Sequence, residues 1–212
     1  MIVTAKICGL TKPETLDAAI GGGASHVGFI LFPPSPRHLT LESLRTLAAR
    51  VPDRVARVGV LVDPDDALID DAVAAGDLAI LQLHRTTPAR AAAIGARTGR
   101  EIWAAVAVRT RADLDAARTF RGAADRILYD ARTPDDAALP GGMGLRFDWA
   151  LLYGFRHPLP WALSGGLDAD NVAEAVARTG ARLVDVSSGV ESAPGVKHVD
   201  KIGGFLQAVA LL

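Results

Sequence analysis

The amino-acid sequence predicts an α/β protein, a single (β/α)8 TIM barrel with eight parallel strands, over residues 1–212. Three observations lead to this prediction. Short apolar runs rich in Val, Ile, Leu and Ala recur at even spacing, as expected of strands buried on both faces. Amphipathic helical patterns lie between the runs, and such alternation is typical of a parallel sheet. A chain of this length forms one compact domain, in which closure into a barrel is favoured over an open doubly wound sheet.

The predicted strands begin at regular positions along the chain. They start near Ile2, His26, Val55, Leu78, Glu101, Ala124, Leu159 and Arg182. Most intervals between these starts are 23 or 24 residues, but the second is 29 and the sixth is 35. The extra residues fall in 32–39 and 131–147, after the second and sixth strands. Because loops that follow the strands of a barrel lie on its catalytic face, both segments are expected near a binding site.

Helix starts are predicted from four pairs of residues. Two pairs have the spacing of a capping box, and two place an N-cap residue directly before proline. The pairs are Thr11 with Glu14, Thr110 with Asp113, Asp63-Pro64 and Thr87-Pro88. Apolar stripes predict the core-facing sides of three helices. These stripes are Leu41, Leu44, Leu47 and Ala48; Val172, Ala175, Val176 and Thr179; and Ile202, Phe205, Leu206 and Val209.

The charge and cysteine content exclude several classes of protein. The net charge of -1 gives no overall attraction to nucleic acid or to an anionic membrane. Cys8 is the single cysteine, which excludes an internal disulfide, and the histidines show no HxH or HExxH spacing that would predict a metal site. The sequence shows no secretion signal and no apolar stretch of about 20 residues. We therefore expect a cytoplasmic protein, monomeric or homodimeric, whose partner is a small molecule.

Small residues end the last two predicted strands. The seventh ends in Ser164-Gly165-Gly166, and the eighth runs through Asp185 into Ser187-Ser188-Gly189. Without bulky side chains, such turns let a ligand approach backbone N–H groups, which favour phosphate. The loops after strands seven and eight are also the usual phosphate site of this fold. We predict a phosphate site at Gly165, Gly166, Ser187, Ser188 and Gly189, with tight turns as the alternative role of the glycines.

Two residues at other strand ends have acid–base chemistry. Cys8 ends the first strand, and a thiolate can accept a proton from carbon. Asp130 ends the sixth, where burial would hold a carboxyl protonated as a general acid. Taken alone, each residue has a plainer alternative. Cys8 can be an inert buried thiol, and Asp130 can cap a helix or pair with Arg132.

Two further side chains are candidates for substrate binding. Arg37 lies in a loop stiffened by three prolines, where its guanidinium could grip a carboxylate through two hydrogen bonds. His84 ends the fourth strand and could orient a substrate or satisfy a backbone group of its loop. His26 begins a strand and so lies at the opposite end of the barrel, which argues against a metal site built from histidines.

Several motifs occur in a characteristic order along essentially the whole chain. They are KICGLT, GFILFPPSPR, RVGVLV, LQLH, ILYDAR, GGMGLRFDW, LSGGL with NVAEA, and DVSSGVESAPGVK. With these motifs the chain resembles the phosphoribosylanthranilate isomerase family. The resemblance implies an Amadori rearrangement of N-(5-phosphoribosyl)anthranilate to 1-(2-carboxyphenylamino)-1-deoxyribulose 5-phosphate in tryptophan biosynthesis, a reaction that needs one acid and one base but no cofactor or metal.

The resemblance also implies residue roles. Asp130 matches the general acid, which protonates the ribose ring oxygen, and Cys8 matches the general base, which removes the proton from the sugar C2. Arg37 matches the residue that holds the anthranilate carboxylate, and Asp185 lies close to the reacting sugar. The two glycine- and serine-rich strand ends fall where the family binds phosphate.

The chain departs from the family pattern at a few positions. Arg85 and Thr86 follow His84 where Gly and often an acidic residue are usual, Met143 replaces Thr or Asn, and Arg132 replaces Lys.

Three other functions are alternatives to this one. The related isomerase of histidine biosynthesis carries aspartate at both catalytic positions, whereas this chain has Cys8 at one. A Schiff-base aldolase is disfavoured because no lysine ends strands five or six. A barrel that binds phosphorylated ligands without turnover is distinguished only by an assay.

Overall fold

The computed structural model describes residues 2–134, 137 and 139–212, so Met1, Asp135, Asp136 and Ala138 lie outside the described residues, the last three within the predicted loop 131–147. Eight parallel strands close into a barrel in sequence order, which confirms the predicted fold class. They are β1 Thr4–Cys8, β2 His26–Ile30, β3 Ala56–Val62, β4 Ile80–His84, β5 Glu101–Val108, β6 Arg126–Ala131, β7 Trp161–Leu163 and β8 Leu183–Val186. Each begins within two residues of its predicted start.

Helices alternate with the strands around the outside of the barrel. The α-helices are α1 Pro13–Gly21, α2 Leu41–Ala48, α3 Asp66–Gly76, α4 Pro88–Thr98, α5 Ala116–Thr119, α6 Val172–Thr179 and α7 Val199–Ala210. Three 3-10 helices cover Arg111–Asp115, Trp149–Leu152 and Ser188–Val190. Between β6 and β7, the described residues form only the second of these 3-10 helices. An antiparallel hairpin of β9 Glu191–Ala193 and β10 Val196–Lys197 separates β8 from α7.

Two of the four predicted helix starts are correct. The Thr87 hydroxyl accepts the backbone N–H of Arg90 at the start of α4. The capping box of Thr110 and Asp113 is present, although it begins a 3-10 helix rather than an α-helix. In both cases the cap directly precedes the first helical residue, as the sequence predicts.

The other two predicted starts are wrong. The N-cap of α1 is Lys12 rather than Thr11, and that of α3 is Asp65, whose carboxylate accepts the Leu68 N–H. Asp63 does not cap α3: its N–H still bonds the carbonyl oxygen of His84 on β4 at 3.0 Å, and its φ of +43 is not the extended conformation of an N-cap residue. The chain therefore needs two more residues to leave the sheet before the helix begins.

The barrel interior has an apolar floor and a polar layer above it. The floor consists of Val58, Ile80, Trp103, Leu128, Ala162 and Leu183, all fully or almost fully buried. Above it, Lys6 on β1 and Asp185 on β8 are paired in the strand register and are also buried. Lys6 and Cys8 share one face of β1 because they are two residues apart. The charged and reactive side chains of the barrel interior therefore lie directly above the apolar layer.

Candidate active site

A cleft opens at the C-terminal ends of the barrel strands. Its lining includes every residue of the predicted site except Gly189. These are Cys8, Arg37, His84, Asp130, Gly165, Gly166, Asp185, Ser187 and Ser188. The closed barrel brings them together because consecutive parallel strands all end at the same rim. The loop after β6 contributes Thr133 and Leu139 through Leu145 to the wall of the cleft.

Asp130 at the end of β6 is a buried carboxyl group that lines the cleft. Its side chain is buried and accepts the Ala131 backbone N–H at 2.9 Å. Burial, together with the nearby Asp185 carboxylate, raises the pKa of Asp130 to about 7. A carboxyl group with this pKa carries a proton for much of the time near neutral pH and can donate it to a ligand.

Cys8 lies beside the ammonium group of Lys6. Burial raises the pKa of the Cys8 thiol, and the Lys6 charge acts against this rise. Gly28 on β2 pairs with Cys8 in the strand register. A Cβ atom there would lie 2.9 Å from the Cys8 sulfur and 3.1 Å from Lys6 Cε, so only glycine leaves room for both side chains. The sheet therefore keeps the thiol and the ammonium on one side of β1.

Asp185 is paired with Lys6. The two groups form an ion pair at 2.9 Å, with both side chains buried. Ser164 at the end of β7 donates a further hydrogen bond to Asp185 at 3.3 Å. We call Lys6, Cys8, Asp130 and Asp185 the inner cluster. It contains two carboxyl groups for one lysine, so Asp130 is the carboxyl that retains a proton.

Arg37 is buried at the edge of the cleft, but it is already paired. Its Nε and Nη2 atoms donate to the two carboxylate oxygens of Glu191 at 2.7 and 2.8 Å, and Nη2 also donates to the carbonyl of Gly142 at 2.9 Å. Within the described residues, Nη1 is the nitrogen that lacks a hydrogen-bond partner. The two-bond grip predicted from the sequence therefore exists, but its carboxylate belongs to Glu191.

Lys197 on β10 completes this second group of charges. Its Nζ lies 2.6 Å from the Glu191 carboxylate and donates to both the backbone and side-chain oxygens of Ser187, at 3.0 and 3.2 Å. We call Arg37, Glu191 and Lys197 the outer cluster. Sequence reasoning missed Lys6, Glu191 and Lys197. The signal was available, because all three are charged residues inside the quoted motifs that begin KICG and DVSSG.

His84 at the end of β4 is buried and neutral. Burial, with help from the charges of Lys6 and Arg85, lowers its pKa to about 4. Its Nε2 lies 2.9 Å from the amide nitrogen of Gln82, so the ring is oriented by a neighbouring side chain. The next residue, Arg85, has φ of +54, a conformation that glycine adopts most easily. This explains why the family pattern usually has glycine at that position.

The glycines of the predicted phosphate site let three loops pack closely. Gly166 has φ of +64, and a Cβ atom there would collide with the side chain of Arg146 in the loop after β6. A Cβ atom at Gly189 would collide with the backbone oxygen of Leu167. Gly189 therefore has a packing role between the last two loops, whereas Gly165, Gly166, Ser187 and Ser188 face the cleft. Backbone N–H groups at such positions are accessible to an anion because no bulky side chain covers them.

The described residues contain neither a metal-binding cluster nor a helix that could span a membrane. No group of three or more His, Cys, Asp or Glu side chains there is arranged to hold a metal ion. Among the same residues, no helix has the length and apolar character needed to cross a membrane.

Comparisons with known proteins agree on one family. Residues 5–208 match the family described as N-(5'phosphoribosyl)anthranilate (PRA) isomerase. The chain is 56% identical to the N-(5'-phosphoribosyl)anthranilate isomerase of Zymomonas mobilis subsp. pomaceae, with all of both chains covered. It is 52% identical to the enzyme of the same name from Paracoccus denitrificans, over 97% of this chain and 96% of the relative.

Solved structures show the same likeness. The structure of phosphoribosyl anthranilate isomerase from Thermotoga maritima covers both chains fully, with 34% identity and a TM-score of 0.89. Monomeric forms of that dimeric enzyme match with 33% identity and a TM-score of 0.86, again over both full chains. A further phosphoribosyl anthranilate isomerase, in complex with reduced 1-(o-carboxyphenylamino)-1-deoxyribulose 5-phosphate, matches over both full chains with 32% identity and a TM-score of 0.86.

Proposed function

The chain belongs to the N-(5'-phosphoribosyl)anthranilate isomerase family, and from this we propose that Asp130 and Cys8 perform the two proton transfers of the reaction. The protein is an isomerase that converts N-(5-phosphoribosyl)anthranilate to 1-(2-carboxyphenylamino)-1-deoxyribulose 5-phosphate in tryptophan biosynthesis. The observation that carries the residue assignment is a single cleft lined by a carboxyl group of pKa about 7 and by a thiol next to an ammonium group.

Asp130 supplies the first proton. It protonates the ribose ring oxygen, the bond from C1 to that oxygen breaks, and the nitrogen lone pair forms an iminium ion. The carboxylate left behind is buried, but it lies near the charge of Lys6, which lowers the pKa of Asp130 and so favours its ionised form. The raised pKa of Asp130 therefore keeps the proton available for donation, and the nearby Lys6 charge stabilises the carboxylate that remains afterwards.

Cys8 accepts the second proton. Its thiolate removes the proton from C2, and the electron pair of that C–H bond neutralises the iminium to give an enolamine, which tautomerises to the ketone. The Lys6 charge stabilises the thiolate in a site where burial opposes it. Thiol and carboxylate then exchange protons with solvent, which restores the acid and the base for the next turnover.

The remaining residues of the site hold the two anionic ends of the substrate. We assign the phosphate to the backbone and hydroxyl groups of Gly165, Gly166, Ser187 and Ser188, and the anthranilate carboxylate to Arg37 through its unoccupied Nη1. Asp185 faces the sugar, and neutral His84 orients it without adding charge. Neither proton transfer needs a cofactor.

We further propose that residues 1–212 form one catalytic domain, active in the cytoplasm as a monomer or a homodimer. The Thermotoga maritima relative is named as dimeric, which supports the second of these states. The partner of the site is a small phosphorylated molecule, with no nucleic acid and no membrane involved.

The test is a steady-state assay that follows the loss of anthranilate-type fluorescence, with freshly generated N-(5-phosphoribosyl)anthranilate. We expect Asp130→Asn to lower kcat by about 10³-fold, within the range for loss of a general acid. Asp115→Asn is the matched control, because that carboxylate is exposed and pairs with Arg118 on the surface. Near-normal turnover by Asp130→Asn would show that another group is the acid.

A further inference from the structure

Glu191 is a buried carboxylate to which the reaction steps assign no role. It lies at the start of β9, in the hairpin that follows the phosphate loop of β8. Its two oxygens accept from Arg37, from Lys197 and from the Gly195 backbone N–H at 3.2 Å. Burial would raise the pKa of Glu191, but hydrogen bonds and charge from Arg37 and Lys197 hold it below the usual value. At neutral pH, Glu191 is therefore a charged acceptor for Arg37.

The contacts of Arg37 fix the direction of its guanidinium group. Glu191 occupies the edge formed by Nε and Nη2, so the plane of the group and its remaining nitrogen Nη1 have one orientation. The aliphatic stem is confined as well. A Cβ atom at Gly9 would lie 2.6 Å from Arg37 Cδ, which shows how closely the stem packs on the backbone of Gly9. An arginine whose aliphatic part and guanidinium group are both held in place loses little rotamer freedom when it binds an anion.

The same hairpin also contacts the phosphate end of the site. Lys197 bridges the Glu191 carboxylate and Ser187, a residue of the phosphate loop. At the hairpin turn, Gly195 has φ of +80, and a Cβ atom there would lie 2.7 Å from the backbone oxygen of Pro36, next to Arg37. The hairpin thus joins the two places where the substrate carries negative charge.

We propose that Glu191 is a positioning residue for the carboxylate end of the substrate: it aims Arg37 Nη1 into the cleft, and Lys197 sets that end relative to the phosphate end. The proposal rests on the assigned role of Arg37. It differs from a general scaffold role because it concerns only ligands that bear the ring carboxylate. It also differs from a simple charge effect, since Glu191 itself repels the substrate anion.

The experiment compares two ligands by titration calorimetry. One is reduced 1-(o-carboxyphenylamino)-1-deoxyribulose 5-phosphate, and the other is the same compound without the ring carboxylate. The key variant is Glu191→Leu, because it removes both acceptor oxygens from Arg37 and leaves Lys197 and its contacts to Ser187 in place. Loss of a negative charge would by itself strengthen binding of an anion, so weaker binding reports a loss of positioning. We expect Glu191→Leu to weaken binding of the first ligand by about tenfold or more, the loss typical of a hydrogen bond to a charged group, and to change binding of the second by less than about threefold.

The outcomes are distinguishable. Equal weakening of both ligands, or no weakening of the carboxylate ligand, overturns the proposal. If Glu191→Leu does not fold, Glu191→Asp takes its place, because it keeps the charge but is one methylene too short to hold both nitrogens of Arg37, and it should show the same selective loss. Arg37→Met tests the premise separately. If that variant shows no selective loss, the assigned role of Arg37 is wrong; if it does and the Glu191 variants do not, only the positioning role is wrong.

Discussion

The inner and outer clusters are both buried groups of paired charges, yet their compositions are opposite. The inner cluster has two carboxyl groups and a thiol around one lysine, whereas the outer cluster has two cations around one carboxylate. An excess of acidic groups in a buried site leaves one of them protonated. An excess of cations leaves one positive charge that the cluster itself does not neutralise and that can bind an anion. The first composition suits proton transfer, and the second suits binding.

The two clusters also differ in what holds them. Lys6 and Asp185 are register partners on adjacent strands of the closed barrel, so their separation is set by backbone hydrogen bonds. Arg37 and Glu191 lie in a loop and a hairpin 154 residues apart, and their contact depends on side chains. Proton transfer needs donor and acceptor at fixed distances, which strands supply best. We therefore expect variants of the inner cluster to affect kcat and stability, and variants of the outer cluster to affect ligand binding.

The largest expected effect is on turnover. Cys8→Ala should lower kcat by about 10³-fold, because no other group in the inner cluster replaces the thiolate as the base for C2. KM should change little, since the substrate is held by its two anionic ends. Steady-state fluorescence kinetics measure both constants. A tenfold or smaller loss of kcat would remove Cys8 from the mechanism and with it the functional contrast between the clusters.

The next effect is on the pH dependence of stability, where the two clusters should show opposite signs. The folded-state pKa of Asp130 is about 7, above the ordinary value of 3.8, so wild type loses stability as the pH rises between these values. Asp130→Asn removes this loss, and its free energy of unfolding should gain about 4 kcal/mol on wild type between pH 4 and pH 8. Urea unfolding at several pH values measures the difference.

The carboxylate of the outer cluster provides the comparison for that experiment. The pKa of Glu191 is lowered in the folded state, so its contribution to stability is present above its ordinary pKa of 4.5 and is lost as the pH falls through the lowered value. Glu191→Gln should therefore lose stability relative to wild type as the pH rises from acid, opposite to Asp130→Asn. The same sign for both variants would contradict the assignment of opposite charge balance.

The smallest of these effects concerns the lysine of the inner cluster. Lys6→Met leaves the Asp185 carboxylate buried and unpaired, so we expect a loss of about 3 kcal/mol in the free energy of unfolding at neutral pH. Lys12→Met is the matched control, because Lys12 is exposed at the start of α1, and its stability should be close to that of wild type. Chemical denaturation compares the two. Equal stability of the two variants would mean that the inner ion pair does not hold the site together.

Much of the fold could be predicted because its signals are local. The apolar runs predicted all eight strands, and the Thr87-Pro88 pair predicted the start of α4. The predicted cap at Asp63 failed because that residue still pairs with the neighbouring strand β4 and has a positive φ, neither of which the local sequence shows. The hairpin of β9 and β10 was missed for a different reason. Strands of two or three residues show too little hydrophobic periodicity to be recognised in a sequence.

The candidate site was predictable in its membership but not in its pairing. Residue type and position at a strand end predicted Cys8, Asp130 and Arg37. Two ion pairs of the site join residues that lie far apart in sequence. Arg37 and Glu191 are 154 residues apart, and Lys6, which lies beside Cys8, is 179 residues from Asp185. No local pattern encodes such pairs, so the pairing of Glu191 with Arg37 and of Lys6 with Asp185 was found only in the structure.

The sequence by itself determined which groups reach the mouth of the barrel, because the alternation of strands and helices places every strand end on one rim. The tertiary structure decided the charge that each group carries there. Asp130 keeps a proton because burial and Asp185 act on it, and Arg37 offers only Nη1 because Glu191 occupies its other edge. Protonation and hydrogen-bond occupancy depend on desolvation and on distant charges, and both exist only once the chain has folded.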